Sequence, residues 1–143
     1  MQLNISTDYA IRIVLYLAKY ENIVSSKILA SALNISPRYL LQINSKLRDA
    51  GVLNVTHGSS GGAKLAKQAS EISLYDIISI MEGAIRSRQV SDTDQHQTDE
   101  VVFLNTAYEY VDGLLEQSLR SITIESLLSQ TEEQWHAALL IKR

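Results

Sequence analysis

The chain has 143 residues, a length that suits one ordinary domain or one small module with an assembly element. Hydrophobic residues make up 45% of it, enough for a real core, and its formal net charge is −3. It contains no cysteine, and this excludes disulfides, thiol catalysis, cysteine zinc sites and thiolate-bound iron–sulfur clusters. No apolar run approaches the roughly 20 residues of a membrane span, and the first residues do not resemble a secretory leader, so we expect a cytoplasmic protein.

The charge is unevenly divided along the chain. Residues 1–67 carry eight Lys and Arg against three acidic residues, a net of +5, whereas residues 68–143 carry five against thirteen, a net of −8. Chance clustering is one explanation. The other is that the basic half meets a phosphate-bearing partner, because clustered Lys and Arg are the electrostatic footprint of nucleic-acid binding.

Three helices are predicted in the basic half. The spacing of apolar residues predicts a first helix over about 7–20, and a second, short helix follows a pair of adjacent serines. A third helix begins at Ser36 and Pro37 and runs to about Ala50. A serine cap followed by proline at the first helical position is a typical helix start, because the N–H that proline lacks has no partner there.

A β-hairpin is predicted next, with a strand over about 52–57, a glycine-rich turn and a return strand over about 63–66. A helix over about 73–82 follows, and it begins with a serine–aspartate capping pair. The segment 84–98 is polar and has no periodicity, so it is predicted to be a loop.

A long helix is predicted over about 99–119, and its apolar residues recur at alternating spacings of three and four. They are Val101, Leu104, Tyr108, Val111 and Leu115, with Leu119 extending the stripe slightly off register. This heptad-like seam predicts dimerisation, although an ordinary helix packed on its own domain is the alternative. Gly113 inside this helix is expected to carry a mild cost in stability. Short helices are predicted behind Thr123 and Thr131.

Two short helices joined by a tight turn and followed by a glycine-tipped hairpin are typical of a winged helix-turn-helix. In this arrangement the second helix enters the major groove of DNA with its N-terminal turns near the base edges, and the hairpin lies alongside. The predicted DNA contacts are Ser36, Pro37, Arg38, Leu41, Gln42, Ser45, Lys46 and Arg48 on the helix, and His57, Gly58, Ser59, Ser60, Gly61, Gly62 and Lys64 on the hairpin.

These residue types suit distinct parts of a duplex. Gln42 is suited to adenine, Arg38 to guanine or phosphate, and Leu41 to the methyl group of thymine. Lys46 and Arg48 lie further along the helix, where phosphates are expected. The glycine-rich turn is not a nucleotide-binding loop, because it lacks the GK[ST] ending and a strand follows it instead of a helix.

Five segments together match a known pattern: TDYA at 7–10, YLLQI at 39–43, LRDAGVL at 47–53, GSSGGAKLA at 58–66 and ISLYDII at 72–78. Through them the chain resembles the Rrf-two (Rrf2) family of bacterial winged-helix regulators, of the IscR, NsrR and CymR type, over about residues 1–83. The resemblance implies a mainly α fold with a small β-hairpin wing and a long C-terminal dimerisation helix. It also implies a homodimeric repressor on a pseudo-palindromic operator.

The chain departs from the family pattern at several positions. His57 replaces the usual arginine of the hairpin and Ala63 its usual aromatic residue, which argues against tight insertion into the minor groove. Leu41 replaces a glutamate and cannot accept from a cytosine amino group, so a different operator is expected. Cluster-binding relatives have three cysteines in the loop before the long helix. Here 84–98 has none, and its only imidazole, His96, is expected to be solvated.

We therefore expect a DNA-binding domain over 1–83, a loop over 84–98 that is the sensor region in relatives, and dimerisation and C-terminal helices over 99–143. No cofactor, metal or membrane is expected. A small-molecule or protein effector and a sensing role for His57 or His96 stay open. The alternative is a protein-interaction adaptor that has lost DNA binding. An enzyme is not expected, because no carboxylate pair, metal triad or nucleophile–base spacing stands out.

Overall fold

The architecture comes from a computed structural model that describes residues 1–87 and 98–141. Within these residues seven α-helices follow one another: Ile5–Ala18 (α1), Ser26–Leu33 (α2), Pro37–Asp49 (α3), Leu74–Glu82 (α4), Asp99–Ser121 (α5), Ile124–Ser129 (α6) and Glu132–Ile141 (α7). The strands are Leu53–Thr56 (β1) and Gly62–Leu65 (β2), and a 3-10 helix covers Ala69–Glu71. The predicted mainly α fold with a small β-hairpin is confirmed. The hairpin, residues 53–65, is called the wing below.

Serine caps begin the two helices of the helix-turn-helix. The Oγ atom of Ser25 accepts from the N–H of Ile28 at 3.2 Å, so the first serine of the adjacent pair is the cap of α2. The Oγ atom of Ser36 accepts from the N–H of Tyr39 at 3.1 Å, and Pro37 is the first residue of α3. Both starts follow from local sequence, because each cap satisfies an N–H that the helix itself cannot pair.

Helix α1 lies two residues earlier than predicted at both ends. It begins behind Asn4, whose backbone is extended and whose carbonyl accepts from the N–H of Thr7 at 3.0 Å. Thr7 is therefore inside the helix and is not a cap. Its side chain is fully buried, and its hydroxyl forms no hydrogen bond with a described residue. Tertiary burial decides the position of this helix more than the polar residues at its start.

A hydrophobic core is enclosed by α1–α4, the wing and α6. Its fully buried members include Ala10, Ile13, Val14, Leu29, Leu40, Leu47, Ile77 and Ile124. Helix α3 faces this core with one apolar stripe at helical spacing, formed by Leu40, Ile43 and Leu47. The core extends past residue 83 along the chain, because α6 packs on α1 and on the 3-10 helix.

Backbone pairing fixes the start of α6 to the start of α4. The N–H of Leu74 donates to the carbonyl of Ile122, and the N–H of Ile124 donates to the carbonyl of Ile72, both at 2.8 Å. The Thr123 side chain caps α6 as predicted. This C-terminal segment is therefore part of the same packed body as residues 1–83.

Helix α5 continues unbroken through Gly113, so the mild cost of a glycine inside the helix does not interrupt it. It packs on α4, yet within the described residues Leu119 is the only side chain of this helix that is buried. Much of its surface is left without cover from the protomer. In the described part of the chain, no helix has the length and apolar character needed to span a membrane.

Candidate nucleic-acid interface

The wing is held against the helix-turn-helix by backbone hydrogen bonds. Strands β1 and β2 pair antiparallel, with Leu53 opposite Leu65. Val24, just before α2, pairs with β2 from the other side: its N–H donates to the Ala63 carbonyl at 3.0 Å, and the Ala63 N–H donates to the Val24 carbonyl at 2.9 Å. The wing therefore has a defined position beside the start of α2.

Two of the wing glycines are required by close packing. Gly62 is buried, and a Cβ added there would overlap the carbonyl of Val24. A Cβ at Gly61 would overlap the backbone at the end of β1. Gly58 has a φ of +105°, in the region that glycine favours. Gly61 and Gly62 thus hold the hairpin in shape, and residues 58–60 form its exposed tip.

Helix α3 turns its other face to solvent. Among the predicted contacts on this face, Ser45 is half-buried. The others are exposed: Ser36, Pro37, Arg38, Leu41, Gln42, Lys46 and Arg48. Leu41 is 48% exposed, although its neighbour Leu40 is completely buried. We call these residues the exposed face of α3. It presents cations, an amide and one leucine on a single helical surface.

Two of these side chains already bond within the helix. The hydroxyl of Ser45 donates to the carbonyl of Leu41 at 2.8 Å. Arg48 donates from Nε and Nη2 to one carboxylate oxygen of Asp49, at 3.1 and 3.0 Å. Because this carboxylate offsets its charge, Arg48 contributes less positive potential to the surface than an unpaired cation of the same helix.

A groove of about 330 Å³ lies between the wing, the start of α2 and the exposed face of α3. It is lined by Ser25, Ser26, Lys27, Leu41, Thr56, His57, Gly58, Ser59, Gly61 and Gly62. Lys27 was not among the predicted contacts. The one sequence feature that could have indicated its role is its position in the first turn of α2, close to the Ser25 cap. Lys27 adds a positive charge to the groove that also contains His57.

Helix α5 has an inward and an outward face, and the predicted seam is divided between them. Val101, Tyr108 and Leu115 are half-buried and Leu119 is buried, whereas Leu104 and Val111 are exposed. The outward face carries further apolar residues that the seam did not include, at spacings of four, three and four: Phe103, Ala107, Tyr110 and Leu114. Phe103 is 73% exposed and Tyr110 is 68% exposed. We call Phe103, Leu104, Ala107, Tyr110, Val111 and Leu114 the outward face of α5.

Polar contacts hold α5 against the rest of the protomer. Arg120 donates from Nε to Glu116 at 2.8 Å, and its guanidinium carbon lies 3.8 Å from the centre of the Tyr75 ring on α4. The hydrogen bond to the Glu116 carboxylate raises the pKa of Arg120. The N–H of Ser87 donates to Asp112 at 2.6 Å, which joins the segment after α4 to the middle of α5.

A family of known proteins matches this architecture. The family model described as "Rrf2: Iron-dependent Transcriptional regulator" matches residues 3–130. The chain belongs to the Rrf2 family. The resemblance found in the sequence is thereby confirmed, and the chain is a transcriptional regulator of this family and not an enzyme.

Relatives and solved structures of the Rrf2 family align with nearly the whole chain. The HTH-type transcriptional regulator CymR of Bacillus subtilis (strain 168) is 30% identical over 139 residues, 96% of both chains. The HTH-type transcriptional regulator NsrR of Halalkalibacterium halodurans is 28% identical over 151 residues, 99% of both. The structure of CymR (YrzC), named the global cysteine regulator of B. subtilis, has a TM-score of 0.73 at 29% identity and covers 92% of this chain and 99% of its own. That of T. potens IscR has a TM-score of 0.71 at 28% identity, with 93% and 90% covered. The winged helix-turn-helix fold is confirmed.

The family description names iron, and the donor set of this chain does not fit a thiolate-bound metal. The full sequence has no cysteine. Among the residues that the structure describes, no three His, Asp or Glu side chains are grouped as metal ligands. The predicted loop 84–98, with His96, lies largely outside the described residues. The chain therefore lacks the soft sulfur ligands that iron–sulfur clusters require.

Proposed function

We propose that this Rrf2 family member binds double-stranded DNA sequence-specifically, as a homodimeric repressor on a pseudo-palindromic operator. The observation that carries the proposal is the exposed face of α3, with the wing bonded beside it, in a half of the chain whose net charge is +5. A helix with one apolar and one polar, cationic face, next to a wing, matches the geometry in which a recognition helix enters the major groove.

The proposed contacts divide into base readers and phosphate ligands. Arg38 and Gln42 lie in the first two turns of α3, where base edges are within reach, and their side chains suit guanine and adenine. Lys46 and Lys64 are exposed cations at the edges of the surface and suit phosphates. The tip at 58–60 is small and polar, so its backbone can approach the sugar–phosphate chain closely.

The proposed homodimer forms through the outward face of α5. Contiguous exposed apolar side chains mark interaction sites, and Phe103 and Tyr110 are the most exposed large hydrophobic side chains of this helix. A two-fold axis at α5 would present two copies of α3 to successive major grooves, about 34 Å apart along the duplex. The operator would then share the two-fold symmetry of the protein.

Repression follows if the bound dimer covers a promoter and keeps polymerase from it, in the cytoplasm where bacterial DNA lies. A small-molecule or protein effector would release it only by binding the DNA-free and DNA-bound states with different affinities. A sensing role for His57 or His96 remains a hypothesis, and it would require the same difference between the DNA-free and DNA-bound states.

The test is selection of bound sequences from random duplex DNA with the full chain, followed by affinity measurements at several salt concentrations. We expect a palindromic consensus and a steep loss of affinity with salt. The double substitution Arg38→Ala and Lys64→Ala should weaken binding and lower the salt slope by about two. Arg86→Ala, which removes one positive charge from an exposed position outside the interface, is the control and should leave the slope unchanged. If no sequence is enriched and the double variant changes nothing, the chain is an adaptor that does not bind DNA.

A further inference from the structure

Leu41 is an apolar side chain left uncovered in the middle of a polar surface. Its neighbours Leu40 and Ile43 are buried in the core, whereas Leu41 lies on the opposite side of α3 and is 48% exposed. Its backbone carbonyl accepts the Ser45 hydroxyl, so Ser45 remains turned towards its own helix. A partner that covered Leu41 would gain the free energy of removing this apolar surface from water.

The surroundings of Leu41 define the chemistry of that partner. Leu41 lines the groove, and the other lining residues are polar, cationic or glycine, with Lys27 and His57 among them. Arg38 lies one turn before it and Gln42 directly after it on the same exposed face. A partner that satisfies these groups carries negative charge and hydrogen-bonding edges, and at the position of Leu41 it offers an apolar group.

A DNA duplex meets this description at one base. In the major groove, thymine presents a C5-methyl group beside its O4 acceptor, whereas cytosine presents an amino donor, and the purines present N7 with O6 or an amino group. A leucine can neither donate nor accept a hydrogen bond, so the methyl group is the feature it can distinguish.

We propose that Leu41 is a specificity-determining residue that packs on the methyl group of one thymine in each operator half-site. The inference rests on the proposed DNA binding and adds base identity to it. A carboxylate at this position would select cytosine through its amino group, so the leucine changes which base is preferred at this step.

The experiment replaces thymines of the selected operator one at a time by uracil, which removes the methyl group and keeps every hydrogen-bonding group. We expect one thymine in each half-site at which uracil weakens binding by about fourfold, the equivalent of one buried methyl group. Symmetric replacement in both half-sites should weaken it by about fifteenfold. The variant Leu41→Ala should bind thymine and uracil operators equally, and Leu41→Met should keep most of the difference.

Ile28→Ala is the matched control, because Ile28 is an exposed aliphatic residue of α2 that does not line the groove. It should leave the ratio of thymine to uracil affinity unchanged. Thermal unfolding of Leu41→Ala should match that of the natural chain. DNA binding without any uracil effect, or an effect that survives Leu41→Ala, overturns this inference alone. Failure to select any DNA overturns the proposed function together with it.

Discussion

Helices α3 and α5 both carry apolar residues at helical spacing, and they differ in where that surface is covered. On α3 the stripe of Leu40, Ile43 and Leu47 is buried in the protomer, and a polar, cationic face remains outside. On α5 the outward face leaves Phe103 and Tyr110 largely exposed. An apolar stripe thus predicts that a contact exists, but the periodicity is the same whether the partner is the same chain or another molecule.

The two helices also lie in halves of opposite charge. Residues 1–67, which include α3, have a net charge of +5, and residues 68–143, which include α5, have −8. A polyanion would be attracted by the first half and repelled by the second. The surface left open on α3 therefore suits DNA, whereas the apolar surface left open on α5 is where the proposed homodimer would form.

The largest effect should come from removing the aromatic groups of the outward face of α5. Each buried aromatic residue is worth about 1.5–3 kcal/mol, and a two-fold dimer contains both copies of Phe103 and Tyr110. The double variant Phe103→Ser and Tyr110→Ser should therefore raise the dimer dissociation constant by about four orders of magnitude or more, as measured by sedimentation equilibrium. Glu109→Ala, on the same helix, should change it little. An unchanged mass for the double variant would assign this face to another partner.

Two adjacent leucines of α3 should differ in their effect on stability, because Leu40 lies in the core and Leu41 is exposed to solvent. Leu40→Ala removes a completely buried side chain and should lower the free energy of unfolding by about 2–5 kcal/mol. Leu41→Ala should change it by no more than about 0.5 kcal/mol, because that side chain is half exposed. Urea unfolding at one fixed protein concentration measures both. Similar losses for the two variants would mean that α3 is rotated about its axis.

The cations of α3 should differ in their contribution to DNA affinity. Arg38→Ala and Lys46→Ala should each lower the slope of log affinity against log salt by about one. Arg48→Ala should lower it less, because Asp49 already offsets the charge of Arg48. Titrations of the selected operator at four or more salt concentrations provide the slopes. The interpretation of the Arg48–Asp49 pair is wrong if Arg48→Ala has the largest effect of the three.

The smallest effect concerns the first turns of the two helices. Ser36→Ala should cost about 1 kcal/mol of stability, since the Ser36 hydroxyl accepts at 3.1 Å. Thr98→Ala on α5 should cost less, because its cap bond is longer, at 3.4 Å. Chemical unfolding of the two single variants provides the comparison. Equal losses would indicate that the bond length of the cap does not matter here.

The Thr98 side chain also affects the pKa of a neighbouring carboxyl group, that of Glu100. The pKa of Glu100 is lowered by a hydrogen bond from its own backbone N–H and, second, by the Thr98 hydroxyl. The stability from this charge is therefore present at neutral pH and is lost as the pH falls through the folded-state pKa. Thr98→Ala should move the pKa of Glu100 part of the way towards its ordinary value in an NMR titration. If the pKa of Glu100 does not change in this variant, the Thr98 hydroxyl is not a cause of its lowering.

The local signals of the sequence determined the secondary-structure elements of the basic half, residues 1–67. The start of α3 at Ser36 and Pro37, the hairpin and the buried stripe of α3 could all be predicted. Caps, turns and periodicity depend on residues only a few positions apart, so they can be predicted from the sequence alone. The effect of leucine in place of the usual glutamate at position 41 could also be predicted, because the hydrogen-bonding capacity of a side chain is independent of the fold. The DNA contacts and the dimer themselves remain predictions.

Tertiary structure alone decided which surfaces were covered. Ile124 completes a core formed mostly by residues far earlier in the chain, and Lys27 is brought to the wing by the pairing of Val24 with β2. The predicted seam of α5 was divided because α4 covers one side of the helix and leaves Phe103 outside. Burial depends on contacts between residues distant in sequence, and periodicity along a single helix carries no information about them.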